Sequence, residues 1–127
     1  MRTTLEARVV IVGAGPVGLT LAGELGLRGV DVVVLERREV PSTESRASTL
    51  HARTMELLAL RGLLDEFGEL PHEPLGHFGG IPLDLNLPSP YAGQWKVPQT
   101  RTTAILRSWA IDLGAVVLEG HSLSKVT

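Results

Sequence analysis

Residues 7–37, ARVVIVGAGPVGLTLAGELGLRGVDVVVLER, set two valine-rich runs on either side of a glycine cluster and close beside an acid. Ala7–Val12 is a short, continuous apolar run, the pattern of a parallel strand buried on both faces. Pro16–Arg28 follows with helical spacing. Val17, Leu21, Ala22 and Leu25 share a face there, and Gly29 supplies the stop. Val30–Leu35 is a second β-branched run. Strand, helix and second strand in this order make the beginning of a βαβ unit, which commits the chain to a parallel sheet with helices packed on it.

Gly13-Ala14-Gly15-Pro16-Val17-Gly18 is a GxGxxG that follows one strand and opens one helix. In such a turn Gly13 permits the tight bend, Gly15 lets the backbone approach a pyrophosphate, and Gly18 lets the helix pack on the strand. The helix N-terminus offers unpaired N–H groups and a partial positive charge to phosphates. Glu36 stands at the end of the second strand, where a carboxylate can accept both hydroxyls of an adenosine ribose. A glycine turn used only for packing would not need that acid. Dinucleotide binding is therefore expected, with Gly13, Gly15, Pro16, Gly18 and Glu36 as its residues. Glu36 disfavours the 2′-phosphate of NADP, although Arg37 and Arg38 could attract one. NAD and FAD both satisfy it, and the motif alone does not separate them.

Beyond this unit the pattern changes twice. Arg37–Leu50 is polar and rich in Ser, Thr and Arg, and Ala52–Leu60 reads as a second helix with Gly62 as its left-handed cap. Most of the prolines fall between Pro71 and Pro98, among Gly76, Gly79, Gly80 and Gly93. That density excludes a regular helix and predicts loops with short antiparallel strands, HFGG and IPLDLNL forming the pair. Thr100–Leu113 is helical again, with Ile105, Leu106, Trp109 and Leu113 on one side. Ala115–Glu119 reads as another strand of the parallel sheet, and His121–Val126 as the start of a further one.

Composition removes several function classes. A formal net charge of −2 carries no nucleic-acid or anionic-membrane signature. With no cysteine there are no disulfides, thiolate nucleophiles or Cys-ligated zinc, which fits a cytoplasmic protein. The uncharged run Val9–Gly23 is too short for a membrane span, which needs about 20 apolar residues. No metal site is expected: His72 and His77 are five apart with Pro74 and Gly76 between them, so they share no helical face, and His51 and His121 stand alone. No Ser-His-Asp set has a recognisable nucleophile turn, and no catalytic residue is assigned.

The stretch ESRASTLHARTMELLALRGLLDEFGEL, residues 44–70, resembles the flavoprotein aromatic hydroxylases with the p-hydroxybenzoate hydroxylase fold. Within that family, GHFGGIPLDL (76–85) with VPQ (97–99) resembles the hydroxylases of aromatic polyketides of the angucycline and anthracycline type. WAIDLGAVVLEGHSL (109–123) is similar to the family's next helix and strand. The resemblance implies a Rossmann-like FAD/NAD(P)-binding α/β fold, here incomplete. Its parallel sheet holds strands 7–12, 30–35 and 115–119, with a helix at 16–28 and an antiparallel excursion between 71 and 98. It implies FAD as cofactor and NAD(P)H as co-substrate, with one oxygen atom delivered to a phenolic polyketide. In that setting the cofactor carries the hard chemistry and the protein positions flavin and substrate.

By the same resemblance, Glu36 binds the adenosine ribose and Arg37 lies beside the adenine. Arg46 of the SRAS loop reaches the ribose and phosphate region, Gln99 contacts the cofactor at the start of the third helix, and Leu123 touches the adenine end through its backbone. From the residues alone, Arg46 reads as a solvated loop charge and Gln99 as a helix-start residue beside Thr100. Ser48 and Thr49 depart from the family, where many members have a glycine in this loop. Phe78 and the apolar side chains after it are the substrate-side candidates.

Residues 1–127 are expected to be the N-terminal part of an FAD-binding domain. The later Asp-Gly and Gly-Asp segments that grip the flavin, and the substrate-binding sheet, have no counterpart in the sequence. Three readings follow: an N-terminal portion of a monooxygenase, one half of a split flavoenzyme, or a non-catalytic module that binds a nucleotide or a partner. In each, exposed apolar surface calls for the remaining part of the enzyme or a self-associated copy.

Overall fold

The structure is a computed structural model and describes residues 4–127. In chain order its elements are β1 (Val9–Val12), α1 (Pro16–Gly26), β2 (Val32–Glu36), β3 (Thr49–His51), α2 (Ala52–Leu60) and α3 (Leu64–Phe67). They continue with β4 (His72–Glu73), β5 (Leu75–Phe78), β6 (Ile81–Asp84), β7 (Gln94–Lys96), α4 (Gln99–Asp112) and β8 (Val116–Glu119). The chain divides into two compact units, one of residues up to Glu44 with Thr103–Thr127, the other Ser45–Thr102.

The first unit holds the expected parallel sheet, in the order β1-β2-β8. Val10 pairs with Val33 and Val33 with Val116, while Glu36 pairs with Glu119 at the carboxyl end. Helix α1 lies on the Ile11 face, since a Cβ on Gly18 would come within 3.2 Å of Ile11 Cγ2. Val34 and Ile11 are buried there. The opposite face, with Val10, Val12 and Val116, is 53%, 59% and 46% exposed at those residues. Burial of β1 on both faces is thus corrected: its continuous apolar run has one covered and one open side.

The face expected for α1 is also corrected. Its buried residues are Leu19, Ala22 and Gly23, whereas Val17 is 84% exposed and Leu21 is exposed as well. Small residues decide this contact. A Cβ on Gly23 would fall 2.0 Å from the Trp109 ring, and one on Gly26 2.9 Å from Leu113 Cβ. Close approach of α1 to α4 needs glycine at those positions, so Val17 and Leu21 are turned away while Leu19 is fully buried.

The second unit contains the antiparallel excursion. The expected hairpin forms as β5–β6, with Phe78 opposite Ile81 and Gly76 opposite Leu83. Gly79 and Gly80 both take positive φ, 57° and 81°, as its two-residue turn requires. A second sheet, β3-β7-β4, was not foreseen. Its strands are only two or three residues long, too short to carry a period. Phe67 and Val97 form the most deeply buried part of this unit, with Met55, Leu58 and Leu63 about them.

One expected strand is absent. Residues 121–127 have no regular structure and are exposed. Gly120, at φ 69°, turns the backbone out of the extended form after β8, and the last sheet-like contact is the His121 N–H donating to the Glu36 carbonyl at 2.9 Å.

Candidate cofactor site

Each glycine of the turn meets a different physical demand. Gly13 lies at φ 106°, where a side chain is strained, and its N–H donates to the Leu35 carbonyl at 2.7 Å. Gly15 is the N-cap of α1 with ordinary φ, and a Cβ there would meet nothing within 4 Å. Its surface is open, as close approach by a phosphate requires. Gly18 is closed: a Cβ would lie 2.1 Å from the Gly13 carbonyl oxygen. Pro16 occupies the first helical turn, where its missing N–H costs nothing. No side chain caps this N-terminus and no acid stands in its first turn, which leaves its N–H groups available to an anion.

Glu36 ends β2 beside this turn. Its Oε2 accepts the Ala14 N–H at 3.1 Å and its Oε1 accepts the Arg38 N–H at 2.9 Å. The Arg38 N–H is the main reason the carboxyl titrates below the usual glutamate value. Partial burial opposes the shift, while the Ala14 N–H and the charges of Arg38 and Arg37 add to it. Two backbone donors leave lone pairs on both oxygens, so the held carboxylate can still accept two hydroxyls. Arg37 is exposed at the strand end. Leu123 lies in the segment without regular structure and is 46% exposed.

Arg46 and Gln99 meet each other in the second unit. The Arg46 N–H donates to Gln99 Oε1 at 3.1 Å, and the Gln99 N–H is shared between Ser45 Oγ at 2.9 Å and the Ala47 carbonyl at 3.0 Å. Gln99 thus fixes the backbone of the SRAS loop, a role its position at a helix start does not disclose. Ser45 was missed altogether, and no local signal could have found it, because the Gln99 N–H that it accepts lies 54 residues further along the chain. His72 packs against Trp95 with ring centroids 4.4 Å apart, and among the described residues no three His, Asp or Glu side chains gather as a metal site would need. No helix among the described residues is long and apolar enough to cross a membrane.

The FAD binding domain family matches residues 6–127. The chain belongs to that family. It is 46% identical over 124 residues to the 12-dehydrotetracycline 5-monooxygenase/anhydrotetracycline 6-monooxygenase of Streptomyces rimosus, covering 93% of this chain and 24% of that enzyme. Among solved structures it is similar to BexE, studied for oxidation during BE-7585A biosynthesis, at 51% identity and TM-score 0.86, covering 94% of this chain and 25% of BexE. It is also similar to CabE, an aromatic hydroxylase from angucycline biosynthesis, at 47% identity and TM-score 0.84 over 93% of this chain and 24% of that one. The chain therefore spans about a quarter of the length of these relatives. The resemblance read from residues 44–123 is correct in family, and an aromatic hydroxylase from angucycline biosynthesis is among the proteins to which the chain is similar.

Proposed function

We propose that this chain supplies the site for the ADP half of FAD in a monooxygenase that hydroxylates an aromatic polyketide with NAD(P)H and oxygen, in the cytoplasm. The observation that carries the reading is the pairing of an open Gly15 with a Glu36 carboxylate held from both sides by backbone N–H groups. These residues fit the group. The Gly13–Gly18 turn and the N-terminus of α1 would take the pyrophosphate, Glu36 the ribose hydroxyls, Arg37 the adenine surroundings, and Arg46 with Gln99 a further part of the cofactor. Leu123 would meet the adenine end through its backbone. When bound and reduced, FAD would supply the oxygen chemistry; these residues bind and orient it, and none moves a proton. Similarity to hydroxylases of tetracycline and angucycline biosynthesis supports a polyketide substrate.

The open sheet face of Val10, Val12 and Val116 favours a companion for the chain, the remaining part of such an enzyme or a second copy. The test is to titrate the purified protein and its Glu36→Lys variant with FAD, following flavin fluorescence, and to assay NADPH oxidation with a phenolic polyketide. Quenching that Glu36→Lys weakens supports the reading. Equal affinity would show that Glu36 is not the ribose acid.

A further inference from the structure

Glu119 is the register partner of Glu36. Adjacent strands lie about 4.8 Å apart and partners in a parallel pair project to the same side, so two acids leave the sheet next to each other at its carboxyl end. They have different partners. Glu36 is held by the Ala14 and Arg38 N–H groups, whereas Glu119 Oε1 is taken by Arg107 Nη2 from α4. The pair is partly shielded, with side-chain exposures of 37% and 29%. Arg37 and Arg38 follow Glu36 just past the end of β2. The other ionisable group there, His121, turns its Nδ1 to the Glu119 carbonyl at 2.7 Å, and Glu39 lies against Gly120. Arg107 is the cation directly committed to Glu119.

We propose that Arg107 is a positioning residue for the nucleotide site. By neutralising and retaining Glu119, it keeps a second negative charge away from the ribose site at Glu36 and from the diphosphate that the glycine turn would take. The inference rests on the reading of Glu36 as the ribose acid. Loss of Arg107 leaves an uncompensated negative charge one strand from Glu36, opposed to an anionic ligand. The penalty should fall as salt rises, because the group is partly solvated.

The experiment measures the affinity of the purified protein for ADP at low and high ionic strength, with a thermal melt of each variant. Arg107→Met should weaken ADP binding at low salt roughly three- to tenfold, the scale of one unit charge at several ångströms in a high effective dielectric. Arg107→Lys, which keeps the charge, should remain near the parent. The decisive variant is the double Arg107→Met, Glu119→Gln, which should recover the parent affinity although the ion pair is gone. If the double variant binds as poorly as Arg107→Met, the pair serves only to clamp α4 to β8 and the proposal is wrong. Parent affinity in Arg107→Met overturns it as well. Glu36→Gln separates the two levels: if it binds ADP like the parent, the ribose reading falls and takes the proposal with it. Should Glu36→Gln bind weakly while the Arg107 variants do not, only the proposal fails.

Discussion

The backbone N–H of Ala14, within the glycine turn, donates to Oε2 of Glu36 at 3.1 Å. One hydrogen bond thereby ties the glycine turn to the acid that ends β2. The two halves of the proposed adenosine diphosphate site, separated by twenty-two residues, are thereby set at a fixed spacing. Preorganisation of this kind lowers the ordering cost of binding.

Glu36→Lys should weaken FAD binding strongly, since each hydrogen bond from a ribose hydroxyl to a charged carboxylate contributes about 1.5–3 kcal/mol. The added cation would also face Arg37 and Arg38. Acidity should act in the same direction. The Glu36 carboxyl titrates below its ordinary value in the folded chain, so its contribution to stability is fully present above the ordinary glutamate value and is lost as pH falls through the lowered one. ADP affinity measured across the acid range should decline in that window, and the Glu36→Gln variant should lack the decline.

The glycines of the turn should separate binding from folding. Gly15→Ala places a methyl in open space at an ordinary φ, so the protein should keep its melting temperature yet lose affinity for ADP. Gly18→Ala places one against the Gly13 carbonyl, which is backbone and cannot give way without moving the turn. Its melting temperature should fall, by a free energy of about 1–3 kcal/mol. Equal melting of the two variants would contradict the distinct roles assigned to them.

The contact of α1 with α4 gives a third test. Gly23→Ala drives a methyl into the Trp109 ring and should destabilise the chain by about 1–3 kcal/mol, the usual cost of overpacking. Pairing it with Trp109→Leu should return part of that loss, because the smaller side chain vacates the space. Chemical denaturation of the single and double variants measures the coupling.

Much of this was legible in the residues. The β-branched runs gave the parallel strands, and the Pro/Gly density gave the β5–β6 hairpin, because each of these signals is local. The acid at the strand end gave Glu36 for the same reason. What was not legible depends on partners distant in sequence. The buried stripe of α1 sets Leu19 beside the small residues Ala22 and Gly23, the latter required by Trp109, so Val17 and Leu21 pointed to the wrong face. Strands β3, β4 and β7 exist only as one another's partners. The hold of Gln99 on the Arg46 N–H spans fifty-three residues.

That hold yields a fourth expectation. Gln99→Ala removes the acceptor for the Arg46 N–H and should loosen the Ser45–Ala47 backbone at a cost of about 1 kcal/mol. Hydrogen exchange at the Arg46 amide should quicken while the buried Val97 amide, bonded to the Ser48 carbonyl at 3.0 Å, stays protected. Unchanged exchange at Arg46 would show that the loop is held by other means.

The most direct test of the account is a titration of the purified 127-residue chain with FAD and, separately, with ADP. If the glycine turn and Glu36 take the adenosine and pyrophosphate as proposed, the two ligands should bind with comparable affinity, and Gly15→Ala and Glu36→Lys should weaken both alike. No NADPH oxidation should accompany binding. An FAD affinity far above that for ADP, insensitive to both substitutions, would contradict the assignment of the glycine turn and Glu36 as the site.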